Sequence, residues 1–284
     1  MAESQTSISL LVVVLDCCAG VWAQHPDDHA SVLDQLCLFL NAYLALNHDN
    51  KLCVIGAGQS TSKYLFPAPP PPADEAHIER ANAYQQFHAM NSTLLAGIKT
   101  LMDQDTDGAS ASMDIDGSED IPSCHLASAL SKGLCFANRI STDSRVSPSI
   151  IVLSASPDSP AHYVPLMNCI FSAQKAGIHV DACKFYDESA FLQQASLLTR
   201  GVYQQLSSPA GLVQHLLFTF LPPPDLRDKL ALPAPEKVDF RAACFCHQIM
   251  VGEGFVCSVC LAIYCSFNPV CQVCQTRFPF RPSQ

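Results

Sequence analysis

The chain has 284 residues, 49% of them hydrophobic and 15% charged, which is enough apolar material for a buried core. Its formal net charge is −10, and its sixteen Lys and Arg are scattered through an acidic chain. Neutralising phosphates requires a basic face, so direct nucleic-acid binding is not expected. The apolar run near the amino terminus is too short for a signal peptide followed by a membrane span, and no membrane association is expected.

Residues 8–15, "ISLLVVVL", are a continuous apolar run ending at Asp16, the pattern of a central parallel strand buried on both faces. From about 28 to 47 the apolar positions Val32, Leu33, Leu36, Cys37, Leu40, Tyr43 and Leu44 recur at helical spacing. Strands are predicted at 51–58 and, as an edge strand, at 62–66, with helices at 77–102 and 125–140. A strand at 149–155, a helix at 161–176, a strand at 178–185, a short helix at 188–198, a strand at 201–206 and a helix at 209–220 complete the series. Strand and helix in alternation predict an α/β fold with a doubly wound, mostly parallel sheet over residues 1–221.

Two insertions interrupt this pattern. "PAPPPPADEA" at 67–76 and the acidic stretch at 103–123 cannot bury enough surface to order themselves and are expected to be disordered surface loops. Residues 103–124 hold seven acids and no Lys or Arg, so the remainder of the chain carries only −3. A proline-rich linker is expected at 222–236, and a small cysteine-rich module at 237–284.

That module holds seven of the fifteen cysteines. The pairs Cys257/Cys260 and Cys271/Cys274 are each C-x2-C, and two such knuckles supply the four thiolates of a tetrahedral zinc site. Cys244, Cys246 and Cys265 are left over and form a candidate second zinc site, interleaved with the first. The adjacent His247 reads equally well as ligand or bystander. One or two zinc ions are therefore expected, and metal binding would supply much of the module's folding free energy. The other eight cysteines show no regular spacing and read as small buried hydrophobes in a reducing compartment.

At the end of the first strand, "DCCAG" resembles the D-x-S-x-S loop with which von Willebrand A domains hold Mg²⁺. Here Cys18 and Gly20 occupy the hydroxyl positions, and a hard cation needs oxygen donors. After the strand at 149–155 the nearest acid is Asp158, several residues displaced. No magnesium is expected, and Asp16 reads as a cap for local backbone N–H groups. No phosphate-binding loop, dinucleotide fingerprint or nucleophile elbow is present, so no catalytic residues are assigned and the chain is not read as an enzyme.

The degenerate metal loop, the proline-rich linker and the terminal "CFCH…GFVCSVCLAIYC…PVCQVC" together resemble the family of smaller von Willebrand A/zinc-finger core subunits of general transcription factor IIH. The resemblance covers essentially the whole chain. It implies a nuclear, non-catalytic scaffold subunit acting in RNA polymerase II transcription initiation and nucleotide excision repair. The implied partners are other core subunits, chiefly the larger von Willebrand A/zinc-finger subunit. The rival reading is a RING-like E3 ubiquitin ligase, opposed by the incomplete third ligand pair and the C-x-C start; a metal-dependent adhesion domain is opposed by the missing hydroxyls.

Overall fold

A computed structural model describes residues 8–67, 85–109, 124–141, 146–159, 162–227, 229–232, 238, 240–247, 250–260 and 262–278. Six strands, β1 (Ile8–Asp16), β2 (Lys51–Ala57), β3 (Ser62–Phe66), β4 (Val146–Ser154), β5 (His179–Phe185) and β6 (Tyr203–Leu206), form one sheet in the order β3-β2-β1-β4-β5-β6. Only the β2–β3 pair is antiparallel, at the sheet's edge. The apolar run of β1 lies between β2 and β4, and every residue from Leu10 to Asp16 is buried. The expected doubly wound, mostly parallel α/β sheet is thus the one that forms.

Among the described residues, eight α-helical segments accompany it: α1 (Ala19–Trp22), α2 (Pro26–Leu46), α3 (Gln85–Ala109), α4 (Leu126–Ile140), α5 (Tyr163–Ala176), α6 (Ala190–Thr199), α7 (Leu212–His215) and α8 (Pro224–Arg227). From β1 the sheet is built one way to β2 and the other way through β4 to β6, and with the right-handed connections usual between parallel strands this puts α2 and the α4–α6 series on opposite faces. The direction of winding reverses between β1 and β4, so their carboxyl ends are the place where such folds bind ligands. Local chemistry sets the element ends. Pro26 opens α2 with Asp27 and Asp28 in its first turn, and the Ser189 hydroxyl caps α6 by accepting from the Leu192 N–H. At Gly201, between α6 and β6, a Cβ would lie 2.0 Å from the Val180 carbonyl oxygen, so only glycine fits.

By length and composition α2 could cross a membrane, yet Val32, Leu36, Phe39, Leu40 and Tyr43 are buried in the core. The Tyr43 hydroxyl lies 2.9 Å from the Ser9 carbonyl and 3.2 Å from that of Lys51, which ties this helix to the sheet. Gln35 joins α2 to the segment leading into α7: its Nε2 donates to the Pro209 carbonyl and its Oε1 accepts from the Val213 N–H.

The structure corrects several expectations. The acidic stretch does not begin as a loop, because α3 continues through Ala109. Asp105 is 3% exposed and accepts from the Gln59 and Ser60 N–H groups and the Ser60 hydroxyl, so this acid locks the loop after β2. Residues 110–123, 68–76 and 77–84 lie outside the described residues. The helix expected at 209–220 is a single α turn, α7, running into a π-helical segment at Leu216–Phe220. The short α1 was not anticipated. It is seeded by the buried Trp22, whose Nε1 donates to the Asp16 carbonyl.

The linker expected from 222 is held to the α/β unit at its start. Arg227, at the end of α8, is 9% exposed and grips Asp181 of β5 with two hydrogen bonds, Nη1 to Oδ1 at 2.7 Å and Nη2 to Oδ2 at 2.6 Å. Its remaining donors reach the Pro222 and Phe220 carbonyls, and Asp181 also accepts from the Val202 N–H. Such a fork-on-fork pair is costly to break, because removing one partner strands the other charge in the interior. Arg227→Met should therefore destabilise the full chain by about 3–5 kcal/mol in urea unfolding. Fluorescence of the buried Trp22, the chain's one tryptophan, reads the α/β unit selectively in that measurement.

Candidate metal centres and the edge of the sheet

The carboxyl-terminal module is built from two small hairpins. β7 (Ala242–Ala243) pairs antiparallel with β8 (Met250–Val251), and β9 (Phe255–Val256) pairs antiparallel with β10 (Ile263–Tyr264). Each strand pair ends where cysteines are needed: Cys244 follows β7, Cys257 follows β9 and Cys265 follows β10. Turns then bend the chain so that paired sulfurs face one point. The Cys257 N–H donates to the Ala262 carbonyl, the Cys271 N–H to that of Thr276, and the Gln275 N–H back to that of Cys271.

Two groups of donors result. Cys257, Cys260, Cys271 and Cys274 place their sulfurs within 4.8 Å of one another, with Cys257–Cys274 at 3.6 Å and Cys260–Cys271 at 3.5 Å. Four thiolates about 2.3 Å from one zinc are separated by roughly 3.8 Å, so this spacing suits that ion. Cys244, Cys246, Cys265 and His247 form the second group, also within 4.8 Å. In it Cys246 Sγ lies 3.3 Å, and His247 Nδ1 3.2 Å, from Cys265 Sγ. His247, which the spacing left open, supplies the fourth donor. Soft thiolates and imidazole in fours are a donor set for zinc rather than for a hard cation.

Around the first group, side chains orient the sulfurs. The buried Tyr264 hydroxyl accepts from the Gln272 N–H and lies 3.1 Å from Cys271 Sγ, and Thr276 Oγ1 lies 3.1 Å from Cys274 Sγ. Backbone N–H groups of the turn, led by that of Cys274, together with the Tyr264 hydroxyl hold the Cys271 thiol down to about 6. Cys274 is lowered by Thr276. Second contacts of this kind fix ligand orientation at metal sites.

The eight remaining cysteines behave differently. Cys17, Cys18, Cys53, Cys124 and Cys183 are buried, and burial pushes Cys53 and Cys183 up to about 12. Departing from the expected burial, Cys37 and Cys169 are half-buried, and Cys135 is exposed on α4.

At the carboxyl edge of the sheet, Asp16 is fully buried. Its Oδ1 accepts from the Cys18 N–H at 3.0 Å, and its Oδ2 from the Ser154 hydroxyl and the Ala155 and Ser156 N–H groups at 3.2, 3.0 and 2.7 Å. Four donors thus engage the carboxylate. Beside it, the Cys18 thiol is raised by burial first and by Asp16 second. Asp158 is committed elsewhere, accepting from the Ser189 hydroxyl at 2.5 Å and the Phe191 N–H at 3.2 Å at the start of α6. These residues do not fit a magnesium site, which needs oxygen donors free to turn toward the ion.

Residues 8–275 match the family described as Transcription factor Tfb4. The chain belongs to this family. A relative from Schizosaccharomyces pombe, General transcription and DNA repair factor IIH subunit tfb4, is 36% identical over 285 residues, covering 99% of this chain and 92% of its own. The crystal structure of the TFIIH p34 N-terminal domain is 28% identical and has a TM-score of 0.62, covering 76% of this chain and 100% of that one. At the level of fold alone, proximal thread matrix protein 1 from the mussel byssus, solved with a zinc-occupied MIDAS motif, has a TM-score of 0.50 at 13% identity. That likeness covers 75% of this chain and 47% of the other. This Tfb4-family chain therefore has a von Willebrand A-like sheet whose first loop lacks hydroxyl donors, followed by a module that gathers two soft donor sets.

Proposed function

We propose that this chain is a non-catalytic structural subunit of the core of general transcription and DNA repair factor IIH, working in the nucleus in RNA polymerase II transcription initiation and nucleotide excision repair. It holds the complex together by protein contacts, chiefly with the larger von Willebrand A/zinc-finger subunit. The observation that carries this reading is the match to a factor IIH subunit along nearly the full length of both chains. A sheet edge whose acids are consumed by internal hydrogen bonds agrees with a subunit that performs no chemistry there.

The module supports a contact role. Phe255, Val256, Val259, Phe267, Val270 and Val273 are 42–64% exposed, a density of surface apolar groups that soluble monomers seldom present. Phe255 and Phe267 meet edge to face at 6.1 Å beside a groove of about 190 Å³ completed by Tyr264 and Phe278. The partner it suits is an apolar protein surface. We further propose that the module holds two zinc ions, one on Cys257, Cys260, Cys271 and Cys274 and one on Cys244, Cys246, His247 and Cys265. Zinc would pin the turns that position the groove. The ligands alternate between the two groups along the chain, an order shared with RING modules, but the whole-length family match leaves the ubiquitin-ligase alternative without support.

Metal analysis of the purified full chain should return about two zinc per chain, falling by about one in Cys246→Ser/Cys265→Ser and by about one in Cys257→Ser/Cys260→Ser. One zinc in the parent chain would refute the second site. Tagged full-length chain from nuclear extract should co-purify stoichiometrically with other factor IIH subunits, and the Cys257→Ser/Cys260→Ser pair should weaken capture of the larger subunit. Phe255→Asp should retain two zinc yet lose roughly thirty-fold in affinity for that subunit, the size of a central apolar contact. Unchanged capture in both variants would place the contact elsewhere.

A further inference from the structure

The "DCCAG" loop after β1 lacks the hydroxyls of the Mg²⁺-holding loop it resembles, and a buried lysine, Lys184, lies near it. We infer that the buried Lys184 ammonium is the chain's own cation at the carboxyl edge of the sheet, bridging the ends of β1, β4 and β5 and closing that edge to metal.

Lys184 is the penultimate residue of β5 and stands opposite Ser154 of β4 in the parallel register. Its side chain is fully buried, and its Nζ donates to the Ala155 carbonyl at 2.9 Å and to its neighbour Phe185's carbonyl at 3.3 Å. Ala155 is the hinge of the arrangement. Its N–H donates to Asp16 Oδ2 while its carbonyl accepts from Lys184, so the carboxylate and the ammonium are joined through one residue. Three acids, Asp16, Asp158 and Asp187, act on the ammonium; burial pushes the Lys184 pKa down and they push it back up. An ammonium taken out of water persists as a cation only with such compensation.

The groups around Asp16 agree with this assignment, because four hydrogen-bond donors of the chain already engage its two carboxylate oxygens. The neutral oxygens near Asp16 that a hard cation would use include the Ala155 carbonyl, which Lys184 already holds.

The test compares melting temperatures of the full chain and of the Lys184→Met, Asp158→Asn and double variants, each titrated with Mg²⁺. The wild type should be indifferent to Mg²⁺. Lys184→Met should melt about 10 °C lower, the loss expected when buried acids lose their counter-charge. The double variant should regain at least half of that loss, because neutralising one acid relieves the imbalance that Lys184→Met creates. A wild-type melting temperature in Lys184→Met, losses that simply add in the double variant, or saturable stabilisation of the wild type by Mg²⁺ would each overturn the inference. If Lys184→Met does not fold, recovery of folded chain in the double variant decides for the inference, and no recovery decides against it.

Discussion

The α/β unit depends on one buried carboxylate, that of Asp16. A parallel sheet buried on both faces must end its central strand somewhere, and here β1 ends in a charge with no access to water. That charge is tolerable because the chain surrounds it with donors: one N–H from the turn into α1 and two N–H groups plus a hydroxyl from the end of β4. The turns after β1 and β4 are therefore shaped around the same two oxygens. Any ligand chemistry at the switch point between these strands would have to compete with bonds that hold the edge itself together.

β5 carries the complementary charges. Asp181 and Lys184 are three residues apart, so their side chains leave opposite faces of the strand. One receives the Arg227 fork from the end of α8, and the other reaches the backbone that Asp16 organises. The first pair recruits the start of the proline-rich segment into the folded unit, and the second fastens the sheet's carboxyl edge. Both sites are specific because a mispaired charge at either would be left buried and alone.

How much of this is legible in the sequence follows from the range of each interaction. β1 is legible because an unbroken apolar run has one interpretation, and the two C-x2-C knuckles because both sulfurs of a pair come from a single turn. The pairing of Arg227 with Asp181 spans 46 residues and leaves no periodic trace; it sits in a stretch whose prolines suggest a spacer. Lys184 in "HVDACKF" reads as a strand-end lysine that would point to water, and only the fold buries it. Asp105 misleads for the opposite reason. It belongs to an acidic tract whose composition argues for a loop, whereas its own carboxylate holds two backbone N–H groups that the turn after β2 presents. His247 is intermediate: its place beside Cys246 makes it a candidate that the spacing leaves open between ligand and bystander, and only the convergence of side chains brings it to the other three.

The two halves of the chain solve the same problem by different means. The α/β unit buries enough apolar surface to carry charges inside it and satisfies them with its own groups. Among the described residues the module's core is Cys257, Ala262, Tyr264 and Cys271, with Phe245 and Phe278 packed against it, while most of its large apolar side chains face outward. Turning those groups inward would stabilise the module and remove the apolar surface proposed above for partner contact. Small modules escape this conflict by letting metal ligation supply the folding free energy that a core would otherwise provide. On the proposed two-zinc reading, the concentration of cysteines in the last part of the chain and the exposure of Phe255, Val259 and Val273 would have one cause: metal-bound sulfurs would hold the module together and leave its apolar side chains free for a partner.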